Sequence, residues 1–237
     1  MSGGLVGGSF NRKMAFVSVL LLVATSACLS LMRAQESDSA IGRKQLFNGK
    51  DLTGWKFVGK GHNEVKDGLL QTGVHGEGLL YWTGGKLGNC TIRVVYRMQH
   101  ENDNSGVFIR IPLEPREDEM PVNYGYEVQI DNHPETSGED EYHSTGTLYS
   151  LTKPLAKAWK PGPEWNTMEI TLNGPRTVVV LNGMKVTDYT EGDSVPERKF
   201  DFEPSRGRRP DEGWVGLQSE SYKDVVLFKE VSIRPLR

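Results

Sequence analysis

The sequence predicts an all-β domain of many short strands, a sandwich or a barrel. Three observations lead there. From Leu46 onward, strand-length apolar segments follow one another at short intervals. Gly, Pro, Asn and Asp break them. No segment sustains a helical period with caps. The chain has 237 residues, a length that suits one large β-domain, and no internal repeat is visible.

Taken in order, residues 69–71 and 79–82 read as strands, followed by Cys90–Met98. There Ile92, Val94, Tyr96 and Met98 share one face, and Arg93 and Arg97 the other. Residues 107–111 place Val107, Ile109 and Ile111 opposite Phe108 and Arg110. Further strands are expected at 124–131, 147–149, 168–172, 177–181, 184–189, 215–218 and 225–233. Asn173-Gly174 and Asn182-Gly183 are hairpin signals that favour type I′ turns. Residues 191–211 are charged and carry Pro, the composition of a long surface loop or insertion.

The N-terminus reads as an export leader over residues 1–34, followed by a polar linker over 35–44 and the folded domain over 45–237. Arg12 and Lys13 precede an apolar run, and the chain then turns small toward Cys28. Three outcomes fit: cleavage after Ala27, retention as a membrane anchor, or lipidation at Cys28. The run is shorter than the roughly 20 residues of a transmembrane helix. The expected location is periplasmic, extracellular or membrane-anchored. With only Cys28 and Cys90 in the chain, removal of the leader leaves no intrachain disulfide. Cys90 is expected to be a buried small apolar residue. The formal charge of −3, from 28 basic and 31 acidic residues, gives no footprint for nucleic acid. The cluster Arg206-Gly207-Arg208-Arg209 runs into Asp211 and Glu212 and reads as a solvated loop.

The segment richest in chemistry is Tyr124-Gly125-Tyr126-Glu127-Val128-Gln129-Ile130-Asp131. As a strand it lines Glu127, Gln129 and Asp131 along one face, with residues two apart about 7 Å from each other at Cα. Such a face either meets solvent or does acid–base work on a ligand. Asn104-Ser105-Gly106 is a turn entering the next strand, and Arg110 is expected beside the acids, as an ion pair or an oxygen-binding fork. The loop 132–143 holds His133, Glu135, Glu139, Asp140, Glu141 and His143. It is either a solvated acidic loop or a seat for a divalent cation, and either His could carry protons. Tyr142, Tyr149, Trp159 and Trp165 are aromatic residues in or beside loops, able to stack on sugars or to fill a core. Trp55 and Trp165 look like plugs at strand starts. There is no phosphate loop, nucleophile elbow or dinucleotide fingerprint.

An ordered series of segments resembles the 3-keto-disaccharide hydrolase domain family. It runs Leu46-Phe47-Asn48-Gly49-Lys50-Asp51-Leu52-Thr53-Gly54-Trp55, Asn104-Ser105-Gly106-Val107-Phe108-Ile109-Arg110 and Gly125-Tyr126-Glu127-Val128-Gln129-Ile130. It continues with Thr145-Gly146-Thr147-Leu148-Tyr149, Glu164-Trp165-Asn166, Leu181-Asn182-Gly183 and the segment from Gly213 to Gln218. The resemblance implies a concanavalin-like jelly-roll sandwich of two antiparallel sheets, with a sugar site on the concave one. It also implies hydrolysis, or elimination, of glycosides oxidised at C3. Two departures stand out. The family often has His two positions after its Gly-Leu-Gln segment, where Glu220 stands here, and its Phe-Arg-Asn ending reads Phe228-Lys229-Glu230.

That chemistry assigns expected roles. Glu127 is base or acid, Asp131 or His133 the second proton carrier, and Arg110 the stabiliser of charge at O3. Asn104, Gln129, Tyr149 and Gln218 contact the sugar. The residues define no particular cofactor, and a divalent cation is possible at Asp131 or His133. A carbohydrate-binding module of the same fold is the rival reading. A retaining glucanase fits less well, because Gln129 replaces an acid in mid-strand and no second Glu follows.

Overall fold

Alternation of apolar and polar side chains gives each strand a dry and a wet face, and two sheets close on their dry faces. The computed structural model describes residues 42–74 and 76–236. The leader and Cys28 lie outside the described residues, as does the linker up to residue 41. A compact unit spans Lys44–Arg237.

The strands are β1 (Lys44–Gln45), β2 (Trp55–Gly59), β3 (His62–Lys66), β4 (Leu69–Val74), β5 (Gly78–Trp82), β6 (Cys90–Met98) and β7 (Ser105–Ile111). After a short helix α1 (Glu119–Tyr124) come β8 (Tyr126–Ile130), β9 (Asn166–Asn173), β10 (Arg176–Leu181), β11 (Met184–Thr190), β12 (Trp214–Ser219) and β13 (Val226–Pro235). One sheet has the order β11-β10-β9-β6-β13-β4-β3, with β1 added on β13; the other has the order β2-β5-β12-β7-β8. The pairings are antiparallel, as in β6 with β13 and β7 with β8. This is the two-sheet sandwich that the sequence predicts.

The core lies between the sheets. Ile92, Val94, Met168, Ile170 and Leu172 from the larger sheet meet Leu80, Val107, Ile109, Val128, Ile130 and Leu217 from the smaller one. Burial of each such side chain contributes about 1.5–3 kcal/mol. Trp55 opens β2, buried, and its indole N–H donates to the Leu46 carbonyl at 2.9 Å. Cys90 is buried here as well, and desolvation pushes its thiol up to about 11. A second apolar group lies on the outer face of the smaller sheet. Leu79, Tyr81, Phe108 and Ile111 are covered there by Met120 and Val122 of α1.

Three local expectations are revised. Residues 147–149 do not form a regular strand; they reach β8 through a single bridge between Val128 and Leu148. Asn182 and Gly183 both have positive φ, as type I′ requires, but in the first hairpin Gly174 alone does. Pro175 follows it there, and its ring forbids a positive value.

The third revision concerns Arg110. Trp214 pairs with Ile111 and Gly216 with Phe108, so β7 carries one extra residue against β12. Arg110 sits at this bulge with φ 55°. The bulge reverses the alternation and sends Arg110 into the sandwich, so it does not join the outer face. Its guanidinium donates to Thr177 Oγ1 at 3.2 Å and to the carbonyls of Pro210, Gly174 and Arg176 at 2.9, 2.8 and 3.2 Å. The side chain is fully buried, and Asp211 stands 3.9 Å away. Arg110 is thus a tie between the two sheets.

Arg110→Met should lower the unfolding free energy by ~3 kcal/mol in urea titrations, because buried carbonyls lose their donors at ~1–3 kcal/mol each. Arg110→Lys should recover little, since an ammonium lacks the planar fork. A loss below ~1 kcal/mol for the Met variant would show that the tie is not needed.

Candidate functional site

Strand β8 has two neighbours. On one side Phe108 pairs with Glu127 and Gly106 with Gln129. On the other, residues 145–149 hydrogen-bond along its edge. Thr145 N donates to the Asp131 carbonyl at 2.8 Å and Tyr149 N to the Glu127 carbonyl at 2.9 Å. Tyr126, Val128 and Ile130 point into the core, leaving Glu127 and Gln129 on the outer face of the smaller sheet.

Cross-strand register builds that face. Tyr81, Gly216, Phe108 and Glu127 form one row across four strands. Leu79, Gln218, Gly106 and Gln129 form the next. The two glycines open a recess in the middle of the sheet. A Cβ on Gly106 would lie 2.0 Å from Glu127 Oε1, so the carboxyl group rests directly on the backbone there. Glu127 is therefore only 7% exposed although it lies on an outer face.

Three side-chain oxygens stand out on β8, on β12 and in the turn before β7: Glu127 Oε1, Gln218 Oε1 and Asn104 Oδ1. Each is buried without a hydrogen-bond partner among the described residues. Burial raises the Glu127 carboxyl well above its ordinary value, and the charges of Glu220 and Glu139 add to the shift. Glu220 accepts from Gln218 Nε2 at 2.8 Å. Desolvation raises the Glu220 carboxyl to about 7, helped by Asp224, Glu77, Glu139 and Asp131. Asp131 is buried at the end of β8 and rises to about 6 for the same reason, although its side chain accepts from His133 N at 2.8 Å. The Tyr149 hydroxyl donates to Glu139 Oε1 at 3.0 Å. Burial raises its pKa, and Glu139 and Glu127 raise it further.

Beside these groups opens a cavity of about 610 Å³. Leu79, Phe108, Gln218 and Glu220 form its floor, with α1 and the loop around Phe202 as walls. Glu127 stands next to Phe108, one strand beyond the cavity.

The structure thus brings together Asn104, Glu127, Gln129, Gln218 and Tyr149, with Asp131 at the edge. It separates Arg110, through the bulge, and His133. Both ring nitrogens of His133 are held by carboxylates, Glu135 at 2.9 Å and Glu101 at 3.2 Å, which raise its pKa, Glu135 most. Glu101 also accepts from Gly162 N at 2.7 Å, so this His closes a loop clamp. His143 is buried between Asp140 at 3.1 Å and Glu203 at 3.3 Å, with its ring edge-on to Tyr149. Among the described residues no three His, Cys, Asp or Glu side chains are arranged to hold a metal ion. Glu220 escapes the sequence reading as a site residue, and Glu139 enters it only as one acid of a loop able to seat a cation. Glu139 lies in a loop with no period to mark it, while Glu220 shows only as a departure from the expected His.

Fold and recess together define a jelly-roll sandwich protein with a polar recess on the outer face of one sheet. More particularly, the chain belongs to the family of the 3-keto-alpha-glucoside-1,2-lyase-like domain, which residues 42–234 match. A comparison with curated protein sequences gives no match. Among solved structures the chain is similar to one from Parabacteroides distasonis ATCC 8503, provisionally assigned as a glycosyl hydrolase. Identity is 24%, the TM-score is 0.67, and 85% of this chain and 97% of that one are covered. A Bacillus subtilis protein with a galectin-like fold aligns at 11% identity and TM-score 0.58, over 82% and 95% of the two chains. Carbohydrate-binding module CBM66 of Bacillus subtilis aligns at 16% identity and TM-score 0.51, over 76% and 95%. At these identities the likeness shows the fold.

The raised Glu127 carboxyl has a consequence for stability. Its folded-state pKa lies above the unfolded value of about 4.3, so its contribution is full below that pH and is lost as pH rises through the folded value. Glu127→Gln removes this titration. The variant should melt at or above the wild-type temperature at pH 8, and the difference should vanish by about pH 4. A variant that melts lower than wild type at pH 8 would show that the carboxylate is stabilised by a partner.

Proposed function

We propose that the protein cleaves glycosides oxidised at C3 by elimination across C1 and C2, followed by hydration. The observation that carries this reading is the buried carboxyl of Glu127, whose Oε1 has no partner among the described residues, as the amide oxygens of Asn104 and Gln218 have none, in a chain of this family. A ketone at C3 acidifies the hydrogen on C2. A base removes that proton, a C1=C2 double bond forms, and the C1–O bond breaks. The leaving oxygen takes a proton, and water later adds across the double bond. No oxidant or reductant is consumed.

The environments of the acids supply the two proton carriers. Glu127, kept neutral by burial, donates to the leaving oxygen. Glu220, titrating near neutrality on the cavity floor, takes the C2 proton. Asn104 Oδ1 and Gln218 Oε1 accept hydrogen bonds from sugar hydroxyls. With Arg110 inside the sandwich, charge at O3 is met by amide N–H groups of Asn104 and Gln129. In the same proposal the protein acts outside the cytoplasm (periplasmic, extracellular or membrane-anchored), brought there by its N-terminal leader. Among the described residues no helix is long and apolar enough to cross a membrane.

The test is product release from a 3-keto-α-disaccharide and from its unoxidised parent. Wild type should act on the keto compound alone, and Glu127→Gln should lose about 10²–10⁴-fold in rate, the usual worth of a positioned proton donor. Binding of either sugar without product would make the chain a carbohydrate-binding module.

A further inference from the structure

Asp224 lies in the turn between β12 and β13 and joins two parts of the molecule that are far apart in sequence. Its Oδ1 accepts from Asn104 N at 3.1 Å. Its Oδ2 accepts from the Ser221 hydroxyl, to which Lys223 N donates at 3.1 Å. One carboxylate therefore closes its own turn and docks another. The docked turn is closed on itself by Asp103, whose Oδ2 accepts from His100 N at 2.6 Å. Two attachments carry it to the segment 218–224: Asn104 N to Asp224 and, one residue on, Ser105 Oγ to the Gln218 carbonyl at 2.9 Å. That segment is itself braced. Ser219 Oγ donates to Asn63 Oδ1 at 2.7 Å and accepts from Gly73 N at 3.2 Å. A Cβ on Gly73 would lie 1.9 Å from the Asp224 carbonyl oxygen, so the turn rests on that glycine's backbone. Asn104, Gln218 and Glu220 thus belong to one braced unit, and the Asp224 side chain spans it.

The same carboxylate carries a charge that these contacts do not cancel, since an amide N–H and a hydroxyl are neutral. A negative neighbour disfavours ionisation of a carboxyl. Among the charges that act on Glu220, Asp224 comes first. After it come Glu77 in the turn before β5, Glu139 of the loop 132–143 and Asp131 at the end of β8. Lys60, Asp118, Glu119 and Asp201 line the cavity together with Glu220. Lys223, the cation of the turn itself, stands over the Tyr222 ring at 5.5 Å.

We infer that Asp224 is a positioning residue of the proposed site: it docks the Asn104 turn onto the loop of Glu220, and its negative charge tunes Glu220 as the base. The inference rests on the proposed elimination and adds to it the group that sets its pH dependence.

Two variants separate the charge from the docking. Asp224→Asn keeps a carbonyl oxygen for Asn104 N and removes the charge; Asp224→Ala removes both. The measurement is kcat/KM against pH on a 3-keto-α-disaccharide, whose limb rising with pH reports the base of the free enzyme. In Asp224→Asn that limb should move to lower pH by about 0.5–1 unit, the scale of one neighbouring like charge. Its KM on the plateau should stay within about twofold of wild type, since the hydrogen bond is kept. Asp224→Ala should show the same movement and a KM about fivefold higher, the fold-change of one lost hydrogen bond. Added salt should move the wild-type limb toward that of Asp224→Asn. A limb that stays in place in Asp224→Asn would overturn the tuning, and equal KM values in the two variants would overturn the docking. If wild type releases no product, the cleavage reading fails by itself, and NMR decides on Asp224. The Glu220 carboxyl carbon, identified by its loss in Glu220→Gln, should titrate about 0.5–1 unit lower in Asp224→Asn; an unmoved midpoint overturns the tuning. The Asn104 amide proton should exchange about tenfold faster in Asp224→Ala than in Asp224→Asn; equal rates overturn the docking.

Discussion

A buried guanidinium organises this sandwich. Two sheets that meet only through apolar side chains can slide, and a one-residue slip of a strand exchanges its inner and outer sets. Arg110 prevents this at one corner. Reaching from β7 to the β9–β10 turn, it satisfies three carbonyls and a hydroxyl that would otherwise be buried without donors. The backbone bulge that makes the reach possible also sets the outer face. Before the bulge, Asn104, Gly106 and Phe108 face outward. After it, Ile111 does, and it joins the apolar patch under α1. The polar recess and its covered flank are consequences of where that bulge falls.

The recess works against stability in a definite way. Gly106 and Gly216 remove side chains from the middle of the sheet, and the space admits the Glu127 carboxyl against the backbone. A carboxylate there would lose most of its water without gaining a partner, so burial raises the group's pKa well above its ordinary value. The neighbouring acids deepen the effect without neutralising one another. Tyr149 donates to Glu139, Gln218 donates to Glu220, and neither reaches Glu127 Oε1. Unsatisfied oxygens and mutually repelling acids are features that a fold optimised for stability alone would remove. Glu127 seated over Gly106, together with the unpartnered amide oxygens of Asn104 and Gln218, is what singles out this face as the candidate site.

The legible parts of the sequence were those governed by period. Cys90–Met98 appears at the bounds that its alternation sets, and Glu127 and Gln129 fall on the face that the two-residue repeat assigns. The strands Trp55–Gly59 and His62–Lys66 went unread because edge strands bury little and so carry a weak pattern. Arg110 was misplaced for a different reason. Simple alternation from Val107 puts it outward, and only cross-strand register reveals the extra residue. Glu139 reaches the neighbourhood of Glu127 and Phe202 the cavity from loops, whose paths depend on contacts such as those of His143 and Glu203 that no local sequence signal encodes. Glu220 was visible as a departure, and its meaning emerged only beside Gln218, Asp131 and Glu139.

The placement of the two raised carboxyls also bears on which sugar chemistry the face can hold. Glu127 belongs to β8 and Glu220 follows the end of β12, with β7 between them. Strands two apart are separated by about 9.5 Å, and Glu220 also lies four residues along from Gly216, the residue in the row of Glu127, which adds about 13 Å along the strand direction. A retaining double displacement calls for carboxyl groups about 5–5.5 Å apart on one bond. The backbone placement of Glu127 and Glu220 is wider than that, so it gives no support to a double displacement and is compatible with the elimination proposed above. Gly106 has a physical reason of its own: a Cβ there would lie 2.0 Å from Glu127 Oε1, so any side chain would displace the carboxyl from its buried seat.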